Sequence, residues 1–130
     1  MSQNSPYLND LLRHLLAASQ QQPPFNNSEP EPQAAHFLTR LTELSNCEQW
    51  QDQQYQEAQQ LVESIIANYP LLTPALNRDL LWLLGGNCMH FLGDEEIASF
   101  QRIDEYQYEA QQKGEALSFK EAKLAVMKPH

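Results

Sequence analysis

Apolar positions recur at helical spacing along most of the chain, and no stretch shows the β-branched, period-two alternation of a strand. The first stripe is Leu8, Leu11, Leu12, Leu15 and Leu16, opened by Ser5 as N-cap and Pro6 at the first helical position. After Ala18 the segment Gln20 to Pro32 carries Pro23, Pro24, Pro30 and Pro32, which stop a helix and predict an extended Pro/Gln-rich connector. The first helix is therefore expected on a leash. A second helix is predicted from Pro32 to Ser45 and Asn46, with Ala34, Phe37, Leu38, Leu41 and Leu44 inward.

Ser45 and Glu48 have capping-box spacing and predict a long third helix from Cys47 to Tyr69, stopped by Pro70. Its inward set is Trp50, Ala58, Leu61, Val62, Ile65 and Ile66. Thr73 and Pro74 give the start signature of a fourth helix through Leu76, Leu80, Leu81, Trp82, Leu83 and Leu84, the most apolar segment of the chain. Apolar on more than one face, it belongs at the centre of a bundle, packed by several neighbours or by a second copy. Gly85 and Gly86 weaken the helix, and Gly93 and Asp94 restart it.

The fifth helix, Asp94 to Lys113, places Asp94, Glu95 and Glu96 in its first turn, where the dipole favours anions, and Gly114 terminates it. Ser118 and Glu121 open the last helix behind Leu117, with Leu124, Val126 and Met127 as its apolar contacts. The predicted fold is an all-α, single-domain bundle of five to six helices: N-terminal helix 1–19, linker 20–32, helical core 33–130.

Charge changes the picture more than length does. Seventeen acids against 8 Lys and Arg give a net charge of −9, and no basic residue lies between Arg40 and Arg78 while Glu43, Glu48, Asp52, Glu57 and Glu63 do. A phosphate backbone is repelled by such a surface, so no nucleic-acid partner is expected. The plain reading of the acids is a solvated helix face, and the functional one is a surface for a basic partner or nucleic-acid mimicry. The lysines come late, at Lys113, Lys120, Lys123 and Lys128. No apolar run approaches the ~18 residues of a membrane span, and Met1 to Asp10 lacks a signal-peptide pattern. With only Cys47 and Cys88 as reduced thiols, the expected location is the cytoplasm, with no membrane partner.

Candidate chemistry gathers between Gly85 and Glu96. Cys88 and His90 could form a thiolate–imidazole pair, but residues two apart diverge on a regular backbone and the third, orienting group is missing, so Cys88 also reads as a small buried apolar group. His90 with Asp94, Glu95 or Glu96 could hold a divalent ion, yet Gly93 interrupts a common face. None of His14, His36, His90 and His130 has a Glu three residues before it, so the helical di-iron pattern is absent, as are a zinc cysteine pair, a calcium loop and a phosphate loop. No catalytic residue, metal or cofactor is therefore expected. The late aromatics Phe91, Phe100, Tyr106, Tyr108 and Phe119 read first as core and second as pocket, with either Tyr106 or Tyr108 turned to solvent or a partner.

Two resemblances add to this reading. Tyr55 to Pro70, with Ala58 three residues after the aromatic and a closing Pro, resembles the second helix of a tetratricopeptide repeat, although the repeat's Ala and Phe do not recur beyond Gly93. Leu81-Trp82 through Gly85-Gly86, Cys88 and His90, followed by Asp94 to Ile97 and Phe100-Gln101, resembles an uncharacterised family of small bacterial helical proteins. That resemblance implies a small helical fold and brings no activity with it. The sequence thus predicts a protein-interaction or accessory module without catalytic activity, self-associating as a homodimer or serving a protein partner. Its candidate contact residues are Cys88, His90, Asp94, Glu95 and Tyr106. The rival is a small enzyme or a ligand- or metal-binding protein centred on Cys88, His90 and Asp94.

Overall fold

In the structure, a computed structural model that describes residues 5–127, α-helices form where the apolar stripes recur at three- and four-residue spacing. They are α1 (Ser5–Ser19), α2 (Pro32–Ser45), α3 (Asp52–Asn68), α4 (Arg78–Leu84), α5 (Asp94–Gln112) and α6 (Phe119–Met127). Two 3-10 turns, Pro70–Ala75 and Gly86–Phe91, bring the helices to eight, above the expected five to six, and no strand occurs among the described residues. Lys128, His130 and whatever caps the start of α1, with the role expected for Ser5, lie outside the described residues.

The stripe of α1 buries Leu8, Leu11, Leu12 and Leu15 against α2 in the same chain. The leash is not extended. Residues 20–26 form successive turns closed by backbone hydrogen bonds such as Phe25 N–H to Gln22 O (2.9 Å), and residues 27–29 bend toward α2. Phe25 is buried in an aromatic cluster, 5.0 Å from Phe37 and 4.7 Å from Tyr69 between ring centroids. Prolines that forbid a helix do not forbid turns, and one buried ring is enough to fold the segment inward.

The third helix starts at Asp52, five residues later than the Ser45 and Glu48 pair suggested, because α1 has taken over the intervening loop. Asn9, on the inner face of α1, donates to Cys47 O (2.8 Å) and accepts from the indole of buried Trp50 (2.9 Å). Ser45 is buried with its hydroxyl on Thr42 O (2.7 Å), so it cannot cap a helix. Gln54 closes the real start on the Gln51 N–H (3.0 Å). Thr73 and Pro74 likewise fall inside a 3-10 turn, and α4 is instead capped by Asn77, which accepts from Asp79 N–H (2.8 Å).

Leu80, Leu81 and Leu84 of α4 are buried within this chain, which satisfies the most apolar segment without a second copy. Gly114, at φ 81°, ends α5 as expected: the N–H groups of Gly114 and Glu115 close on Gln111 O (3.0 Å) and Ala110 O (2.9 Å). Ser118 caps α6 through Glu121 N–H (3.1 Å). On α6 the expectation holds in part: Val126 packs against the core and Phe119 is buried, but Leu124 and Met127 point outward and Ala122 is buried instead. α5 and α6 pair as a hairpin that meets the rest of the molecule mainly through side chains.

Candidate functional site

The first turn of α4 organises the only buried charge in the described structure. The Asn77 cap fixes where the helix begins, and the next two residues, about 100° apart around the axis, are aimed in different directions. Asp79 points inward, with 3% of its side chain exposed, and accepts from the Tyr7 hydroxyl (2.6 Å) and from Lys123 Nζ at both carboxylate oxygens (2.8 and 2.9 Å). Arg78 points outward and donates to Glu96 twice (2.7 and 2.6 Å) and to Phe91 O (2.9 Å). One helical turn thus ties α1, α5, α6 and the second 3-10 turn together.

The electrostatics follow from these partners. Burial, then the hydrogen bond and charge of Asp79, hold the Tyr7 hydroxyl well above the usual tyrosine range. The Arg78 hydrogen bond, then the Gly93 N–H (3.0 Å), pull the Glu96 carboxyl down to about 2. Beneath the ion pairs runs an aromatic column: Trp82 stacks on Phe100 (5.3 Å), Phe100 faces Phe119 (6.2 Å), and Phe119 faces Tyr7 (5.8 Å). Lys120 sits 5.0 Å over the Tyr7 ring.

Between α4, α5 and α6 this arrangement leaves an open cleft of about 360 Å³. Phe100 and Met127 give it an apolar wall, and Arg78, Asp79, Glu95, Glu96, Ser99 and Lys123 supply its polar groups. A second cleft of about 360 Å³, between α2 and α3, is lined by His36, Arg40, Glu57, Gln60 and Leu61. There Arg40 is already engaged by Glu43 (2.6 Å) and by Glu57.

The structure separates most of the residues that the sequence grouped. Cys88 is fully buried, and burial with the charge of Glu63 pushes its thiol up to about 11, while His90 on the same 3-10 turn is exposed. A protonated thiol facing the core is a poor nucleophile. Gly85 and Gly86 break the helix here at φ 66° and 57°, and a Cβ on Gly86 would lie 2.8 Å from Gln59 Nε2, whose amide donates to Leu84 O (2.7 Å). The glycine pair is thereby explained by helix termination and a close approach.

Asp94 is exposed outside the cleft lining, Glu95 is exposed within it, and both Tyr106 (41% exposed) and Tyr108 (63%) face solvent rather than one of them. Among the described residues no three His, Cys, Asp or Glu side chains converge as a metal site, and no helix is long and apolar enough to cross a membrane. Sequence reasoning missed Tyr7, Arg78, Asp79 and Lys123. A lone acid directly ahead of the leucines of the most apolar helix was the available signal.

Fold and site together define a small all-α protein with one charged cleft between its last three helices. The chain belongs to the PA2817-like family, whose model matches residues 1–130. This is an uncharacterised family, in keeping with the resemblance carried by Leu81 to Gln101. No curated protein and no solved structure matches the chain.

Proposed function

We propose that the chain acts by binding another protein, as an interaction or accessory module with no catalytic activity of its own. The observation that carries this reading is the outward face of α6. Leu124 is 72% exposed and Met127 47%, three residues apart and therefore neighbours on the helix, beside the cleft that Met127 lines. Large apolar side chains left together in water at the mouth of a cleft mark a surface that another molecule covers.

A second copy of the chain is one form such a partner takes, but the buried leucines of α4 and the docking of α1 on α2 remove two reasons for expecting exchange between copies. The net charge of −9 argues against nucleic acid as the partner, and the cytoplasm is the compartment assigned with this reading. The enzyme alternative is weaker, since its nucleophile, Cys88, is buried with its thiol pushed up.

The test compares the wild-type chain with the Leu124→Glu, Met127→Glu double variant as bait in an extract of its own cells. Both positions are exposed, so the variant keeps the helical content and melting curve of the wild type. The expected result is a discrete protein, or the chain itself, retained by the wild type and lost by the variant. Equal retention by both baits, or none by either, contradicts the proposal.

A further inference from the structure

The α5 and α6 hairpin is bonded closely within itself and sparingly to the rest of the chain. Inside it, Phe100 faces Phe119, and Gln107 donates to Leu117 O (3.1 Å) in the joining loop. Across the seam to α1 and α4, no backbone hydrogen bond passes among the described residues. Every side-chain hydrogen bond that does cross there ends on α4: Arg78 to Glu96, Lys123 to Asp79, and Trp82 Nε1–H to Asp104 (3.4 Å). The rings that meet across it, Trp82 on Phe100 and Tyr7 on Phe119, part without breaking any backbone bond.

The described chain enters the hairpin once, through Gly93, which is exposed and extended at φ −76° and ψ 164°. A single exposed residue between a 3-10 turn and a helix is a joint about which a packed helix pair can swing without unwinding. The interior left behind keeps its own fastenings. Phe25, Phe37 and Tyr69 cluster between the connector, α2 and the end of α3, and Asn9 holds Cys47 O and Trp50, all on the α1 to α4 side of the seam.

We infer that the α5 and α6 hairpin opens as one unit about Gly93 while α1 to α4 stay folded, and that this opening takes the charged cleft apart. The cleft has Arg78 and Asp79 of α4 on one wall and Glu95, Glu96, Lys123 and Met127 of the hairpin on the other, so it exists only in the closed arrangement. A ligand that touches both walls therefore selects the closed state and holds it shut. The inference goes beyond the binding reading, since it concerns when the cleft is assembled and not what fills it.

The test is native-state hydrogen exchange followed amide by amide by NMR, under conditions where reclosing outpaces exchange. Amides in the middle of α5 and α6 are expected to share one protection factor, at least tenfold below that of α2 and α3. Phe37→Leu weakens a cluster that stays intact when the hairpin opens, so it is expected to lower protection in α2 and α3 by up to about tenfold and to leave α5 and α6 unchanged. Lys123→Met strands Asp79 in the closed state only, so it is expected to lower protection of α5 and α6 about a hundredfold. An equal fall in all four helices on Phe37→Leu overturns the inference, because the hairpin then opens only with the whole molecule. Unchanged α5 and α6 protection in Lys123→Met overturns it as well.

Discussion

Asp79 and Lys123 are unequal partners, and the inequality predicts which of the two the fold needs more. Asp79 is 3% exposed and Lys123 38%, so a lysine deprived of its carboxylate can turn to water, while a carboxylate deprived of its lysine stays behind in the core. Urea unfolding is expected to show Lys123→Met costing about 3 kcal/mol and Asp79→Asn about 1–2 kcal/mol. Equal costs would mean that the carboxylate reaches solvent and is not the buried member of the pair. Glu96 gives a pH signature of known sign. Its carboxyl sits at about 2 in the folded chain against an ordinary 4.5, so its stabilising contribution is present above about pH 4.5 and is lost as pH falls toward 2. Stability curves of the wild type and Glu96→Gln should therefore run apart at neutral pH and converge in acid; a gap that persists at pH 2 contradicts the assignment. At this scale the sequence was readable only in part. Glu95 was named for its place in a first turn, but Asp79 and Lys123 lie 44 residues apart and nothing local marks them as a pair.

Elements were more legible than their ends. Ser118, Gly114 and Pro32 act where local chemistry places them, because each signal concerns backbone groups within a few residues. The start of α3 was misread because the deciding bonds come from Asn9, on another helix, which holds Cys47 and Trp50 out of helical geometry. On α6 only Leu124 and Met127 were misplaced, for a related reason: apolar residues surround a short helix, and with Lys123 drawn to Asp79 it is Phe119, Ala122 and Val126 that turn inward. The connector illustrates the same limit. Pro23, Pro24 and Pro30 excluded a helix correctly, but the burial of Phe25 between Phe37 and Tyr69 is a tertiary fact. If that ring anchors the segment, Phe25→Ala should cost about 3–5 kcal/mol in chemical unfolding. A change within about 0.5 kcal/mol would return the segment to the status of a loose tether.

For the whole molecule, the division is between an interior that is self-sufficient and an outer surface that leaves large apolar side chains in water at Leu71, at Tyr106 and Tyr108, and at Leu124 and Met127. α1 to α4 bury their leucines among themselves, and the α5 and α6 hairpin is fastened to them by an aromatic column and two ion-pair clusters. Leu124 and Met127, left outward together at that fastening and beside the cleft that Met127 lines, are where a partner protein is expected. The most direct measurement places a photo-crosslinking phenylalanine analogue at Leu124, and in a separate strain at exposed Gln60 on α3, and illuminates the living cells. The account predicts a discrete crosslinked protein from position 124 and none from position 60. No product at 124, or the same products at both, would contradict it.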